Sequence, residues 1–296
     1  MNLVDSAAAY FSAAQILAVI ATIYAAVGAL FIAFKASNDS PMLRSKILLV
    51  IFGLTSASWI FVASSLAFCW AFEDLYYWHE ASAITMILGS SLLTTLVVGL
   101  PVSVLMATRL PAFLIRRAEK ELQSPLKSST DLMRALVKSL GLSSVTLFLS
   151  PKTIPFAYSM GSSKGVVVIS RGLEEELDKE EMETVLMHEL AHLRNNDTQL
   201  NTLITVYRRV LFFDPLIRVL EGVIHREREF ACDEVSARAT RKPMALASAL
   251  IKIHSKAMGS RVPGAFLAGN IALRGDGTLR ERIDRLIRIS KEIARE

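Results

Sequence analysis

The stretch His188-Glu189-Leu190-Ala191-His192 decides most of what this sequence predicts. Two histidines separated by three residues lie one helical turn apart, so their imidazoles project from one helix face and can bind one metal ion. Glu189 can reach a water on that metal. Two nitrogen ligands and a general base on one helix are typical of zinc hydrolases. We therefore expect one Zn²⁺ per chain, bound by His188 and His192, with Glu189 as the catalytic base.

The sequence around this stretch predicts the helix that the chemistry requires. Asp178, followed three residues later by Glu181, indicates an N-cap with a capping box. From Lys179 to about Arg194 the residues are good helix formers, without Gly or Pro. An accidental pair of histidines on an amphipathic helix is the alternative interpretation, and this context argues against it.

A catalytic zinc site requires a third protein ligand, and the best candidate lies in the sequence REREFACD at residues 226–233. Glu229 and Asp233 are four residues apart on a second predicted helix, so both carboxylates face the same way. We expect Glu229 to be the third ligand and Asp233 to accept a hydrogen bond from the far nitrogen of a ligating histidine. The alternatives are Glu227 as the ligand and a solvated charged helix face, for which residues 226–228 are typical.

The front of the chain predicts an α-helical membrane anchor with three transmembrane helices. Apolar residues make up 52% of the sequence. Three uncharged runs, 13–34, 47–72 and 81–108, each reach the roughly 20 residues needed to span a bilayer. A buried core of three helices without a polar face is the alternative, and it is atypical of soluble proteins. We predict a transmembrane region at 1–108 and a metal-binding domain at 109–296.

The loops between the three runs predict the orientation. Lys and Arg follow the first and third runs, whereas the loop after the second run has neither. The positive-inside rule then places the N-terminus outside and everything after Arg109 in the cytoplasm. The net charge of +5 is modest and largely near the membrane, which favours lipid headgroups over nucleic acid. We expect a multi-pass protein of the cell membrane that contacts the lipid bilayer and binds no nucleic acid.

The second domain is predicted to be α+β, mostly helical with a small sheet. The predicted strands are 144–149, 154–160 and 166–170, with a hairpin turn at 161–165. The further predicted helices are 128–141, 245–253, 279–293 and, within 201–224, two amphipathic helices at or near the membrane surface with a turn at Asp214-Pro215. An exposed strand beside the zinc helix would let an extended peptide add to the sheet, and a purely scaffolding sheet is an equal alternative.

Four other polar residues have simpler interpretations. Cys69 and Cys232 do not form a metal pattern, and we expect both to be free, small and apolar in behaviour. His225 is close to Glu229 in sequence and is expected at the surface, with metal ligation as the alternative. Asp197 is expected to be the N-cap of the next helix, with orientation of a zinc ligand as the alternative.

Several stretches match a known family. They are the histidine motif followed by EFACD at 229–233, GVVVISRG at 165–172, RNND at 194–197, FFDP at 212–215 and TLRERI at 278–283. These stretches resemble the membrane-anchored gluzincin endopeptidases, which include the HtpX-type proteases, the CAAX prenyl proteases and the BlaR/MecR-type antirepressor metallopeptidases. The resemblance covers Leu132 to Leu286. It departs at Asp276-Gly277, where HtpX-like proteins usually have His-Pro.

The resemblance implies a zincin-like metallopeptidase domain that hydrolyses peptide bonds, with Glu229 as a zinc ligand. Such an enzyme often uses a second electrophile to stabilise the oxyanion, and Arg282, Tyr158 and His254 are the candidates here. The implied substrates are membrane-associated proteins, in quality control or processing. The alternatives are a signalling protease that cleaves a cytosolic regulator, which the absence of an extracellular sensor domain disfavours, and a non-catalytic membrane scaffold, which would not need Glu189.

Overall fold

The structure is a computed structural model that describes residues 40–71, 130–161, 164–258 and 276–296, with single positions between 24 and 34 and between 97 and 109. These residues are mostly helical with one small sheet, which confirms that part of the predicted fold class. The helices are α1 (Pro41–Ala71), α2 (Thr130–Ser139), α3 (Arg171–Glu176), α4 (Lys179–Arg194), α5 (Asp197–Val210), α6 (Pro215–Thr240), α7 (Pro243–Met258) and α8 (Asp276–Ile293). The strands are β1 (Ser144–Ser150), β2 (Ala157–Gly161) and β3 (Lys164–Ser170).

The chain divides into two compact units. One unit contains Met1–Met106 and Ile204–His225, and the other contains Ala107–Leu203 and Arg226–Glu296. We call them the anchor unit and the metal-site unit. The predicted domain boundary after residue 108 stays a prediction, because the anchor unit also takes in the end of α5 and the start of α6.

Helix α1 is the part of the anchor unit that is long and apolar enough to cross a membrane. Within the described residues, this property is found for Pro41–Ser64. The helix begins before the predicted run 47–72, since the polar residues near Arg44 continue the same helix. The other two predicted spans, 13–34 and 81–108, lie outside the described residues apart from single positions. Three transmembrane helices are therefore not established.

The anchor unit contains a buried aspartate at the start of α6. Asp214 is 3% exposed, and its Oδ1 accepts a hydrogen bond from the backbone N–H of Leu216 at 2.8 Å. This makes Asp214 the N-cap of α6, with Pro215 in the first helical position that proline favours. Its Oδ2 accepts hydrogen bonds from the Tyr24 hydroxyl at 2.6 Å and from Trp59 Nε1 at 2.7 Å. The predicted turn at Asp214-Pro215 is confirmed.

The sheet of the metal-site unit has the order β1-β3-β2. Strand β3 pairs in parallel with β1 and antiparallel with β2, where Gly161 lies opposite Gly165. All four residues Val166–Ile169 of β3 are buried, as is typical of a central strand covered on both faces. The second strand begins at Ala157 and not at the predicted Ile154, since Pro155 has no N–H to donate to a ladder.

Helix α4 packs against β2 and β3 on one side and against α7 on another. Its apolar residues Val185, Leu186, Leu190 and Leu193 are at most 1% exposed and belong to the main core. The approach to the sheet is close. A Cβ added at Gly165 would lie 2.8 Å from Leu193 Cδ2 and 2.8 Å from the carbonyl oxygen of Met160. The helix that carries the histidines is thus fixed against the sheet by close packing.

Candidate metal centre

Helix α4 presents His188, Glu189 and His192 from a well-defined N-terminus. The Asp178 side chain accepts hydrogen bonds from the N–H groups of Glu180 and Glu181, and Glu181 accepts one from the N–H of Asp178. This is the predicted capping box. His188 and Glu189 are buried, whereas the side chain of His192 is 14% exposed.

A second set of contacts fixes the first turn of α4 to α7. The Glu181 carboxylate accepts hydrogen bonds from the Ser248 hydroxyl at 2.7 Å and from Lys252 Nζ at 2.7 Å. Burial acts to raise the pKa of Glu181, but these two bonds outweigh it and lower that pKa. One carboxylate therefore closes the cap of α4 and joins it to a neighbouring helix.

The two imidazoles and the Glu229 carboxylate converge on one point. The Nε2 atoms of His188 and His192 lie 3.1 Å apart. Glu229 Oε2 lies 3.5 Å from His188 Nε2, and Glu229 Oε1 lies 3.6 Å from His192 Nε2. Ligands about 2.0–2.1 Å from a tetrahedral zinc lie about 3.3 Å from one another. The three measured separations fit that spacing, so these residues can hold a zinc ion.

The far nitrogen of His188 faces a carboxylate that is itself held by an arginine. His188 Nδ1 lies 3.0 Å from Asp233 Oδ1, although the N–H is not aligned for a good hydrogen bond. Arg282 donates two parallel hydrogen bonds to Asp233, from Nε at 2.7 Å and from Nη2 at 2.6 Å. Its Nη1 lies 3.1 Å from Glu229 Oε2. The buried guanidinium thus contacts both carboxylates of the EFACD stretch.

The far nitrogen of His192 faces a different carboxylate. His192 Nδ1 lies 2.5 Å from Asp197 Oδ2, and the other oxygen of Asp197 is paired with Arg228 Nη2. The Cys232 thiol lies beside this pair, with Sγ 3.4 Å from His192 Nδ1. A carboxylate on each Nδ1 favours a proton on that atom and leaves both Nε2 lone pairs facing each other. This is the tautomer that binds a metal.

The charges of the centre favour a cation between the imidazoles. Burial alone would raise the pKa of Glu229, but Arg282 and the imidazoles outweigh it and hold that pKa well below its usual range. Burial alone would lower the pKa of His192, but the neighbouring Cys232 sulfur and the Glu229 carboxylate outweigh it and raise that pKa to about 10. An environment that favours positive charge on an imidazole also favours a metal cation at that point.

The balance of charges supports a divalent cation. Three carboxylates contact the imidazoles, and two guanidinium groups contact those carboxylates. With neutral imidazoles, this set carries one net negative charge, and the buried carboxylate of Glu189 adds a second. A cation of charge +2 neutralises the set, and the mixed nitrogen and oxygen donors are those that zinc prefers.

The remaining candidate residues lie on separate elements. Tyr158 is on β2, where its ring stacks on that of Phe156 with the centroids 5.9 Å apart. His254 is on α7 and is partly buried. Glu227 is buried on α6, next to the residues that face the imidazoles. His225 lies in the anchor unit and is 8% exposed, so the prediction that it lies at the surface is wrong. Of the residues named from the sequence, the structure brings His188, His192, Glu229, Asp233 and Arg282 together.

Sequence reasoning did not identify Arg228 as part of the centre. The interpretation of residues 226–228 as a solvated face fails for Glu227 and Arg228, which are 1% and 6% exposed. A pattern in the sequence could have shown this. Arg228 follows the buried residues Leu220 and Ile224 and precedes Cys232, each at a spacing of four, so it lies on the buried stripe of α6. Asp197 begins α5, but its carboxylate contacts His192 and Arg228.

Relatives of this chain are found among protein families, curated proteins and solved structures. The profile of the family described as BlaR1 peptidase M56 matches residues 73–286. The protein named Protease HtpX homolog of Gemmatimonas aurantiaca is 29% identical over 155 residues, covering 42% of this chain and 55% of that protein. The protein of the same name in Pyrococcus abyssi is 31% identical over 157 residues, covering 41% and 54%.

The chain spans about half the length of the curated relatives that it matches. Among solved structures, the crystal structure of Ste24p from S. mikatae is similar at a TM-score of 0.36 and 18% sequence identity, covering 82% of this chain and 66% of that chain.

Proposed function

Because the chain belongs to the BlaR1 peptidase M56 family, we propose that it is a membrane-bound, zinc-dependent endopeptidase that hydrolyses protein or peptide substrates. One observation carries the proposal. His188, His192 and Glu229 offer ligand atoms within 4.8 Å of one another, and Glu189 is buried on the same helix as both histidines. A zinc ion bound by these three residues, one per chain, would activate a water and polarise the scissile carbonyl.

Glu189 acts as the general base in this proposal. Its carboxylate follows His188 in the chain and is close enough to His192 to help raise the pKa of that imidazole. In this position it takes the proton from the attacking water and then delivers it to the leaving amine. Its burial excludes the bulk water that would otherwise compete for the same proton.

Arg282 suits a positioning role better than direct stabilisation of the oxyanion. Its guanidinium already contacts Asp233 through two bonds and Glu229 through a third. We propose that these contacts hold the Glu229 carboxylate and the Asp233–His188 pair in place. Tyr158 on β2 and His254 on α7 stay the candidates for contact with the oxyanion.

The edge of the sheet offers a place for the substrate backbone. Strand β2 has β3 on one side in the described sheet and packs against α4, the helix of the histidines. An extended peptide can add to such an edge by main-chain hydrogen bonds, which bind any sequence in a fixed register. We propose that the substrate lies along Ala157–Met160. The substrate cannot pair with the N–H of Gly161 at the end of this edge, because that N–H donates a hydrogen bond to Thr198 Oγ1 at 3.1 Å.

The proposed location is the cell membrane, with the N-terminus outside and residues 109–296 in the cytoplasm. The apolar helix α1 and the positive charges after the first and third predicted spans support it. Both native cysteines are first replaced, by Cys69→Ser and Cys232→Ala. A membrane-impermeant thiol reagent added to intact cells should then label an Asp74→Cys variant and should not label a Lys179→Cys variant. Labelling of the Lys179→Cys variant alone would place the metal-site unit outside.

Two biological roles follow from the same chemistry. Processing or quality control of membrane-associated proteins is the role we propose, and the similarity to proteins named Protease HtpX homolog supports it. Cleavage of a cytosolic regulator in a signalling pathway is the second candidate, and the match to the family described as BlaR1 peptidase supports it. A non-catalytic scaffold would leave Glu189 without a purpose beside the ligands.

The test of the proposed chemistry is Glu189→Gln. The purified full-length variant should bind one zinc per chain, as measured by metal analysis, and should lose 10²–10⁴-fold of wild-type casein hydrolysis, the usual cost of removing a general base. Glu180→Gln is the matched control, because Glu180 is exposed in the first turn of the same helix. Activity of Glu189→Gln within about tenfold of wild type would contradict its role as the base.

A further inference from the structure

We propose that Arg228 and Asp197 form a positioning pair for His192, which fixes this ligand as Arg282 and Asp233 fix His188. The inference rests on the proposed function, because it assumes that His192 binds zinc. It assigns a joint role to two buried charged residues: the sequence indicated a solvated helix face for Arg228, and for Asp197 a helix cap, with orientation of a zinc ligand as the alternative.

The pair begins with the contact between Asp197 and His192. Their side-chain atoms lie 2.5 Å apart, and Asp197 is 2% exposed, so little water competes for the carboxylate. An imidazole whose Nδ1 proton is held by a carboxylate keeps its ring direction and becomes a more basic ligand through Nε2. The Nε2 atom of His192 is the one that faces His188 and Glu229.

Arg228 holds Asp197 from the other side. Its Nη2 is paired with the second oxygen of Asp197 and also donates a hydrogen bond to the carbonyl oxygen of Asn195 at 2.9 Å. Asn195 is the C-cap of α4, and Asp197 is the first residue of α5. One guanidinium on α6 therefore joins the end of the histidine helix to the carboxylate that orients its second ligand.

The chain between these two contacts is unusually constrained. Asn196, between Asn195 and Asp197, has a φ of 56° in the left-handed region, which asparagine tolerates better than most residues. This conformation helps to end α4 at Arg194 and to start α5 at Asp197, with two residues between them. It directs the Asp197 carboxylate towards His192. Arg228 contacts the residue on each side of Asn196, namely Asn195 and Asp197, and so holds this turn in place.

Position 228 is also next to the third proposed ligand. Arg228 immediately precedes Glu229 on α6, so the same turn of helix delivers one carboxylate to the metal and one guanidinium to Asp197. The Cys232 thiol, one turn later, lies 3.7 Å from the same Asp197 oxygen that contacts His192. A correct position of α6 is thereby linked to the orientation of His192 as well as to ligation by Glu229.

The experiment measures zinc affinity of the full-length protein by competition with a chromophoric chelator. Arg228→Met and Asp197→Asn should each weaken zinc binding by roughly 10–100-fold, the usual cost of losing a partner that orients a ligand. The zinc affinity of the double variant should lie within about threefold of that of the weaker-binding single variant. The two losses should not add, because both residues belong to one chain of contacts. Arg226→Met is the matched control, since Arg226 is on the same helix and pairs with the exposed Glu281.

A conservative variant distinguishes loss of the specific contacts from general misfolding. Arg228→Lys keeps the charge, but lysine ends about one bond short of the position of Nη2, so its zinc affinity should lie between those of wild type and Arg228→Met. The melting temperature of each metal-free protein is measured in parallel. A lower melting temperature with unchanged zinc affinity would overturn the proposal, as would additive losses in the double variant. Wild-type protein that binds no zinc would instead overturn the proposed function.

Discussion

The molecule holds buried carboxylates in two different ways. In the anchor unit, the hydrogen bonds to Asp214 come from neutral donors, namely the Tyr24 hydroxyl, the Trp59 indole and the Leu216 backbone. In the metal-site unit, the carboxylates of Asp233 and Asp197 contact an imidazole and a guanidinium each. We call the first arrangement the Asp214 clip.

This difference separates a structural role from a chemical one. The Asp214 clip joins three segments of the anchor unit through neutral donors to one carboxylate, and each such bond is worth roughly 1.5–3 kcal/mol, as is usual for a hydrogen bond to a charged group. Around the imidazoles, formal charges of both signs are packed together in a buried place, where they interact strongly. Such a set is stable only when its charges balance, and a divalent cation completes that balance.

The largest effect that we expect is the loss of zinc binding when Glu229, the proposed third ligand, is replaced. Glu229→Ala removes a ligand and should abolish stoichiometric zinc binding, as measured by metal analysis of the purified protein. Glu227→Ala, a matched change two residues earlier on α6, should retain both zinc and casein hydrolysis. Zinc bound as tightly by Glu229→Ala as by wild type would mean that another residue completes the site, with Glu227 and His225 as the first candidates.

A smaller effect of a different kind is expected at the Asp214 clip. Tyr24→Phe removes one hydrogen bond to the carboxylate and should lower the free energy of unfolding by about 1.5–3 kcal/mol, while Asp214→Ala removes all three bonds, including the N-cap of α6, and should cost about 3–5 kcal/mol. Denaturant titration in detergent measures both. Neither variant should change zinc affinity by more than about twofold.

The control for the clip is Asp284→Asn, an exposed aspartate on α8 whose replacement should leave stability unchanged. The same experiment also tests whether the two arrangements have separate roles. If Asp214→Ala weakened zinc binding as much as Arg228→Met does, the two arrangements would not have separate roles, and the distinction between neutral and charged partners would lose its meaning.

Helix α4 was predictable because its determinants are local. The cap at Asp178, the return bond from Glu181 and the absence of Gly and Pro act within a few residues of one another. The spacing of the histidines then follows from the helix repeat alone. The same holds for the turn at Asp214-Pro215 and for the hairpin that pairs β2 with β3.

Asp233 was expected to face a ligating histidine, but the contacts of Arg228 and Asp197 could not be predicted in the same way. Arg228 lies in a run of alternating charges whose local pattern is that of a solvated helix, and only the carbonyl of Asn195 and the carboxylate of Asp197, both distant in sequence, make its burial favourable. Asp197 satisfies the rule for a helix start, but tertiary contact directs its carboxylate elsewhere. Local rules describe which residues can cap a helix, and packing decides what a side chain finally contacts.

The close approach of Gly165 to Leu193 has a consequence for any genetic screen of this protein. A Cβ at position 165 would lie 2.8 Å from the Met160 carbonyl oxygen of β2 and 2.8 Å from the end of the Leu193 side chain, so every substitution there must shift that strand and that side chain. Gly172 is in the same situation, because a Cβ there would overlap the carbonyl of Thr153. In a saturation library selected for activity, both glycines should be as intolerant of substitution as the proposed ligands His188, His192 and Glu229. Depletion alone would therefore not distinguish residues that do the chemistry from residues that leave space for it.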